Sequence, residues 1–107
     1  MAKQQPFALV YDPAVVNHLD TIEIKYHSLI RAHIEEQLQF DPESATRNRK
    51  PLSRPIELGA RWELRCVQYN RFRVFYTVAA EAREVHILAI GVKERERLFI
   101  AGKEVKL

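Results

Sequence analysis

The stretch that decides the fold is residues 61–92, which read RWELRCVQYNRFRVFYTVAAEAREVHILAIGV. Apolar and charged residues alternate over its first half, and residues 85–90 are almost all apolar. Alternation with a period of two is typical of half-buried strands, and a short apolar run fits a strand covered on both faces. Tight connections at 69–70 and 81–82 favour hairpins. We therefore predict a three-stranded antiparallel meander over 61–92.

The N-terminal part of the chain predicts one strand followed by helix. Residues 6–11 form an apolar run of strand length, and the Asp12-Pro13 pair after it is typical of a helix start. Apolar residues then recur at helical spacing through 13–40. This spacing predicts either one long helix or two helices with a break near Thr21, which would then cap the second.

The remaining segments are less regular. Residues 43–60 contain prolines, a glycine and several basic residues, which predicts a long basic loop. Residues 93–107 predict a charged turn, a short edge strand at 98–100 and a polar tail. The whole order is β-α(α)-β-β-β over a single domain, 1–107. We expect an α+β fold in which an antiparallel sheet carries two N-terminal helices on one face.

Length and composition limit the classes of protein that remain. A chain of 107 residues with 47% apolar and 29% charged residues has the balance of one globular domain. Its single cysteine, Cys66, excludes an internal disulfide and a cysteine-based zinc site, and its apolar neighbours predict a core position. No apolar stretch is long enough for a transmembrane helix, and residues 1–6 precede no apolar signal segment. We expect a cytoplasmic protein without a membrane partner.

Positive charge is concentrated in the middle third of the chain. Although the net charge is only +3, residues 45–75 carry eight basic residues against two acidic ones. Residues 1–44 carry three basic residues against seven acidic ones, and residues 76–107 carry six against five. A local excess of this size is typical of a surface that binds a polyanion. The alternative interpretation is a solvated basic loop beside an acidic helix face.

Strand alternation groups several of these cations into a candidate site. It places Glu63 and Arg65 on one face of their strand and Arg71 and Arg73 on one face of the next, so a hairpin would bring them together. Lys93 follows the third strand nearby. We predict catalytic roles for Arg65, Arg73, Lys93 and Glu63. Further basic residues would bind RNA, namely Arg47, Arg49, Lys50, Arg71 and Arg95.

A groove of this kind suits single-stranded RNA and the chemistry that cleaves it. Guanidinium groups bind phosphate bidentately, and unstacked bases would lie on Trp62, Tyr69 and Phe72. In cleavage, a ribose 2′-hydroxyl attacks the adjacent phosphorus, and fixed cations stabilise the charge that builds on the phosphoryl oxygens. Glu63, or a lysine made more acidic by neighbouring arginines, would act as the base.

The histidines favour no metal chemistry. His18, His27 and His33 follow one another along the helical segment at steps longer than one turn, which is a poor spacing for a shared metal ion. His86 lies inside an apolar strand, where it is either a packed histidine or a proton shuttle that faces the groove. We expect neither a metal ion nor a cofactor.

Several motifs together resemble the toxins of the RelE/ParE superfamily. They are Trp62-Glu-Leu-Arg65, Arg71-Phe-Arg-Val-Phe-Tyr-Thr-Val78 and Ile87-Leu-Ala-Ile-Gly-Val-Lys-Glu-Arg95, preceded by Arg49-Lys-Pro-Leu52. With the helical N-terminal half, the resemblance covers nearly the whole chain. It implies a RelE-like fold and the toxin component of a type II toxin–antitoxin system, held inactive by a cognate antitoxin protein.

The resemblance also implies roles for single residues. Arg65 falls at a basic position of its strand, Arg73 matches the arginine of the superfamily's second-strand motif, and Lys93 lies at the basic position after the strand that ends in glycine. Two positions depart from the pattern. Glu63 stands where several messenger-cleaving members carry a lysine, and Phe99 where some carry a functional tyrosine.

Three functional hypotheses follow from the sequence. The first is a metal-independent endoribonuclease that cleaves messenger RNA, usually on the ribosome, through a cationic sheet face. The second is a ParE-type inhibitor of DNA gyrase, which performs no chemistry and is favoured by the missing tyrosine at Phe99. The third is an inactive RNA-binding member of the same fold.

Overall fold

The alternating and periodic segments of the sequence become the strands and helices of a mixed fold. The computed structural model describes residues 5–56, 59–66 and 71–106. Its strands are β1 (Ala8–Tyr11), β2 (Arg49–Ile56), β3 (Ala60–Cys66), β4 (Phe72–Ala79), β5 (Glu84–Glu94), β6 (Arg97–Ile100) and β7 (Lys103–Val105). Its α-helices are α1 (Ala14–Asp20) and α2 (His27–Leu38), with a 3₁₀ turn at Ile24–Tyr26 between them. The predicted α+β class and antiparallel meander are confirmed.

Strand β5 is the centre of the sheet. Strands β2 to β7 form one antiparallel path in chain order, and they curl around the second face of the sheet. β4 pairs along nearly the whole of one edge of β5. The other edge is shared, since β1 pairs in parallel with Glu84–Ile87 and β6 pairs with Gly91–Glu94. The nearly all-apolar sequence of β5 follows from this central position.

The two helices begin and end for local reasons. The Asp12 carboxylate accepts a hydrogen bond of 2.9 Å from the Ala14 N–H, so the predicted helix start is confirmed. The predicted break is also confirmed. Thr21, however, donates its hydroxyl hydrogen to the His18 carbonyl at 2.8 Å. It therefore closes the end of α1, and the prediction that it caps the second helix is wrong. Among the helices of the described ranges, none is long and apolar enough to cross a membrane.

Two predictions about the irregular segments are wrong. Most of the predicted loop over 43–60 is strand β2, which forms the edge of the sheet, where prolines do not interrupt an inner ladder. Its Leu52 and Ile56 pack on the second face of the sheet, which explains why the segment is extended. Near the C-terminus, β6 forms over the residues predicted as an edge strand, but β7 pairs with it, so β6 is internal.

The sheet buries apolar side chains on both faces. One core lies between the helices and the sheet and includes Ile30 and Ile34 of α2 with Leu64 and Val74 of the strands. A smaller core lies on the second face and consists of Ala60, Phe75, Leu88, Ala89, Leu98 and Ile100. A β-bulge at Leu88 contributes to it, because two residues of β5 oppose the step from Phe75 to Tyr76. The second face is therefore only partly open to solvent.

Candidate nucleic-acid interface

Three strands bring four charged residues to one part of the second face. Arg65 of β3 lies directly opposite Arg73 of β4, and Glu63 of β3 lies directly opposite Lys50 of β2. Residues that face each other across antiparallel strands share a face, as do residues two apart along a strand. We call Lys50, Glu63, Arg65 and Arg73 the Glu63 cluster.

The Glu63 carboxylate is the centre of this cluster. Its Oε1 atom accepts a hydrogen bond of 2.9 Å from Nη1 of Arg73. The same oxygen lies 3.6 Å from Nε of Arg65 and 4.0 Å from Nζ of Lys50. One negative charge thus faces three positive ones, which leaves a local charge of +2. The predicted cationic site is real in position, but a carboxylate partly neutralises it.

Exposure increases from the carboxylate outwards. The Glu63 side chain is 1% exposed and that of Arg73 is 11% exposed, whereas Arg65 reaches 34% and Lys50 reaches 51%. Burial of both partners makes the Glu63–Arg73 pair mutually dependent, because removal of one leaves the other desolvated. The burial of Glu63 also weighs against a role as base, since a ribose hydroxyl would have to displace a bound cation to reach it.

Lys93 lies on the same face as the cluster, one diagonal step away. Gly91 of β5 is opposite Arg73, and Lys93 follows it by two residues. Diagonal neighbours of this kind are separated by roughly 7–8 Å, which a long side chain can span. The Lys93 side chain is half-buried, and its backbone N–H donates to the Arg71 carbonyl at 2.7 Å. Lys93 is thus near the cluster without being one of its printed ion pairs.

The other predicted RNA-binding residues do not join the cluster. Arg49 lies on the helix side of the sheet, where its guanidinium donates to the Gln37 carbonyl in the last turn of α2. A cation there stabilises the helix end. Arg71 was predicted to share a face with Arg73, but its guanidinium lies 5.5 Å from the ring centroid of Tyr26 and 5.5 Å from that of Phe72. Two further residues lie exposed in connections outside the cluster, namely Arg47 and Arg95.

The predicted stacking surface is wrong for two of its three aromatic residues. Phe72 belongs to the helix-side core, and Trp62 packs against it and stacks on Tyr76 with ring centroids 6.1 Å apart. Both therefore lie on the opposite face from the Glu63 cluster, as alternation with Glu63 requires. Tyr69 lies outside the described residues. Phe99 is opposite Val92, which packs on the helix-side core, so Phe99 also faces away from the cluster.

The histidines and the cysteine serve the fold. Nδ1 of buried His18 accepts a hydrogen bond of 3.2 Å from the Ile90 N–H, which joins α1 to β5. Nε2 of His86 lies 3.0 Å from a Glu84 carboxylate oxygen. No group of three metal-ligating side chains comes together in the parts of the chain that the structure describes. Cys66 is a core residue, as predicted, and burial raises the pKa of its thiol to about 12.

Sequence reasoning missed the central place of Glu63 as a bound counter-ion. The signal was available, because a carboxylate two residues before an arginine on a strand must share its face. What alternation could not supply is the cross-strand register that adds Arg73 and Lys50.

Comparison with known proteins adds no family assignment. No family model matches the chain, and no curated protein matches it in sequence.

Proposed function

We propose that this chain is a RelE/ParE-type toxin that binds RNA, on or off the ribosome, through the Glu63 cluster and cleaves it without a metal ion. The observation that carries the proposal is the convergence of Lys50, Arg65 and Arg73 from three adjacent strands. The motifs that resemble the superfamily fall on the same strands. A cognate antitoxin would restrain the activity.

The cluster supplies electrostatic stabilisation in this proposal. The 2′-hydroxyl oxygen attacks the adjacent phosphorus, a cyclic phosphate forms, and the bond to the 5′-oxygen breaks. Lys50 and Arg65 are exposed enough to contact the phosphoryl oxygens, and Lys93 lies a diagonal step away. Fixed cations aimed at such oxygens typically account for a hundredfold or more of the rate.

Glu63 keeps the cluster together in this proposal and does not take the proton. Because the carboxylate is buried and bound by cations, the 2′-proton would pass to solvent. A positioned base typically contributes about 10²–10⁴-fold to the rate. We therefore expect slow cleavage compared with a toxin that has such a base.

The second candidate function is ParE-type inhibition of DNA gyrase. Two observations favour it: Glu63 is buried in ion pairs, and Phe99 has no hydroxyl and faces the other side of the sheet. In this case the same exposed cations would contact a partner protein, and no chemistry would follow.

Inducible expression with mapping of transcript ends tests the proposal. The informative variant is Arg65→Ala, because Arg65 is partly exposed and Glu63 keeps Arg73 as its partner. Arg31→Ala on α2 is the matched control, since it removes an exposed arginine from the helix side. We expect growth arrest and new transcript ends with the parent and the control, and neither with Arg65→Ala.

Other results separate the alternatives. A folded Arg65→Ala protein that is as toxic as the parent contradicts the proposal. Inhibition of supercoiling by purified gyrase, with intact transcripts, supports the second candidate. Normal growth together with salt-sensitive RNA binding indicates an inactive RNA-binding member of the fold.

A further inference from the structure

The cations of the Glu63 cluster differ in what they can offer to an incoming ligand. Arg73 is buried and donates to Glu63. Nε of Arg65 is also buried and faces Glu63 at 3.6 Å, so the exposed third of that side chain lies elsewhere on it. Lys50 is the most exposed member. A ligand from solvent therefore meets Lys50 and the outer part of Arg65 before it meets Arg73.

We propose that the outer part of the cluster is a subsite for one phosphate group, held by Lys50 and Arg65, and that Glu63 is the positioning residue that sets its depth. The inference rests on the proposed function for the source of the phosphate, which would be an RNA backbone.

The geometry of Arg65 favours phosphate as the ligand. A guanidinium fork binds two phosphate oxygens at once, and a neighbouring ammonium adds a point charge. Because Nε is directed at Glu63, the two terminal nitrogens of Arg65 are the ones left to form this fork. One phosphodiester would lower the local charge from +2 to +1, so binding relieves repulsion among the cations.

The same carboxylate limits how far a phosphate can enter. An anion that approached Arg73 closely would also approach Glu63 Oε1, which is 2.9 Å from the Arg73 nitrogen. Two like charges at that distance repel strongly in a partly buried site. The phosphate therefore stops at Arg65, and Arg73 acts through Glu63 without contacting the ligand.

Binding of inorganic phosphate to the purified full chain tests the subsite. We expect Lys50→Gln and Arg65→Gln each to weaken phosphate binding by roughly tenfold, the usual effect of losing one hydrogen bond to a charged group. Arg31→Gln, the control on the helix side, should bind as the parent does. Equal affinity in all four proteins, or an equal loss in the control, would overturn the subsite.

The positioning role of Glu63 needs its own measurement. Without the carboxylate, Arg73 lacks its buried counter-charge, and phosphate can enter to replace it. We expect Glu63→Gln to melt at lower temperature than the parent in chloride and to gain more from added phosphate than the parent gains. An identical gain in the two proteins contradicts the role. If this variant does not fold, Glu63→Asp provides the comparison, with a gain between those of the parent and a variant without the charge.

RNA cleavage by the same proteins separates this inference from the proposed function. Phosphate binding that depends on Lys50 and Arg65, without any cleavage of RNA, supports the subsite and contradicts the nuclease. Cleavage at the parental rate by both Lys50→Gln and Arg65→Gln contradicts the subsite and leaves the nuclease standing.

Discussion

The two faces of the sheet are built by the same strands but solve different problems. The helix side buries an almost purely apolar set of side chains against α1 and α2. The second face is divided, with apolar residues from β5 to β7 and the Glu63 cluster from β2 to β4. Charges can lie in a partly buried sheet face only when they are paired. The comparison teaches that Glu63 stabilises, in the folded chain, cations that would otherwise oppose folding.

Breaking the buried ion pair should have the largest effect on stability. Arg73→Met removes the hydrogen-bond partner of Glu63 and should lower the free energy of unfolding by about 3–5 kcal/mol. The double variant Glu63→Leu with Arg73→Met removes both charges and should recover most of that loss. Urea unfolding of the parent, both single variants and the double variant measures the coupling. A double variant as unstable as the worse single variant would mean that the pair is not what the face depends on.

Two adjacent residues of β3 provide a direct comparison of the faces. Leu64 is fully buried on the helix side, whereas Arg65 belongs to the cluster. Leu64→Ala should cost about 2–5 kcal/mol of stability and leave the RNA affinity of the folded protein unchanged. Arg65→Ala should do the reverse. Urea midpoints and RNA binding of both variants test this division, and a loss of RNA affinity in folded Leu64→Ala would contradict it.

The pH dependence of stability should report on the helix-side core. Burial raises the pKa of the Cys66 thiol from 9.0 to about 12, so the unfolded chain loses this proton at lower pH than the folded one. Stability from this residue is complete below pH 9 and is lost as the pH rises towards 12. The slope is at most about 1.4 kcal/mol per pH unit. Cys66→Ala should flatten it, while burial also raises the pKa of Tyr76 and contributes in both proteins.

Part of this fold could be predicted from sequence because the responsible signals are local. Alternation gave the meander, and the Asp12-Pro13 pair gave the start of α1. Strand β2 was missed because its prolines and charges hide the extended conformation, which its pairing with β3 imposes. Strand β7 is only three residues long and depends on β6 in the same way.

The candidate site was predictable only within each strand. Alternation placed Glu63 beside Arg65, and it also required Trp62 to face the other way, a consequence that the stacking hypothesis overlooked. The approach of Arg73 and Lys50 depends on register between strands, which no local pattern encodes. Arg49 and Arg71 were misassigned for a similar reason, since α2 and Tyr26 are distant in sequence from the strands they meet.

The salt dependence of RNA binding tests the central claim most directly. For a short single-stranded RNA, each phosphate contact contributes about 0.7 to the slope of log affinity against log salt concentration. We predict that Arg65→Gln lowers the slope by about that amount and that Arg31→Gln leaves it unchanged. Equal slopes for the parent and Arg65→Gln would contradict the assignment of this sheet face to RNA.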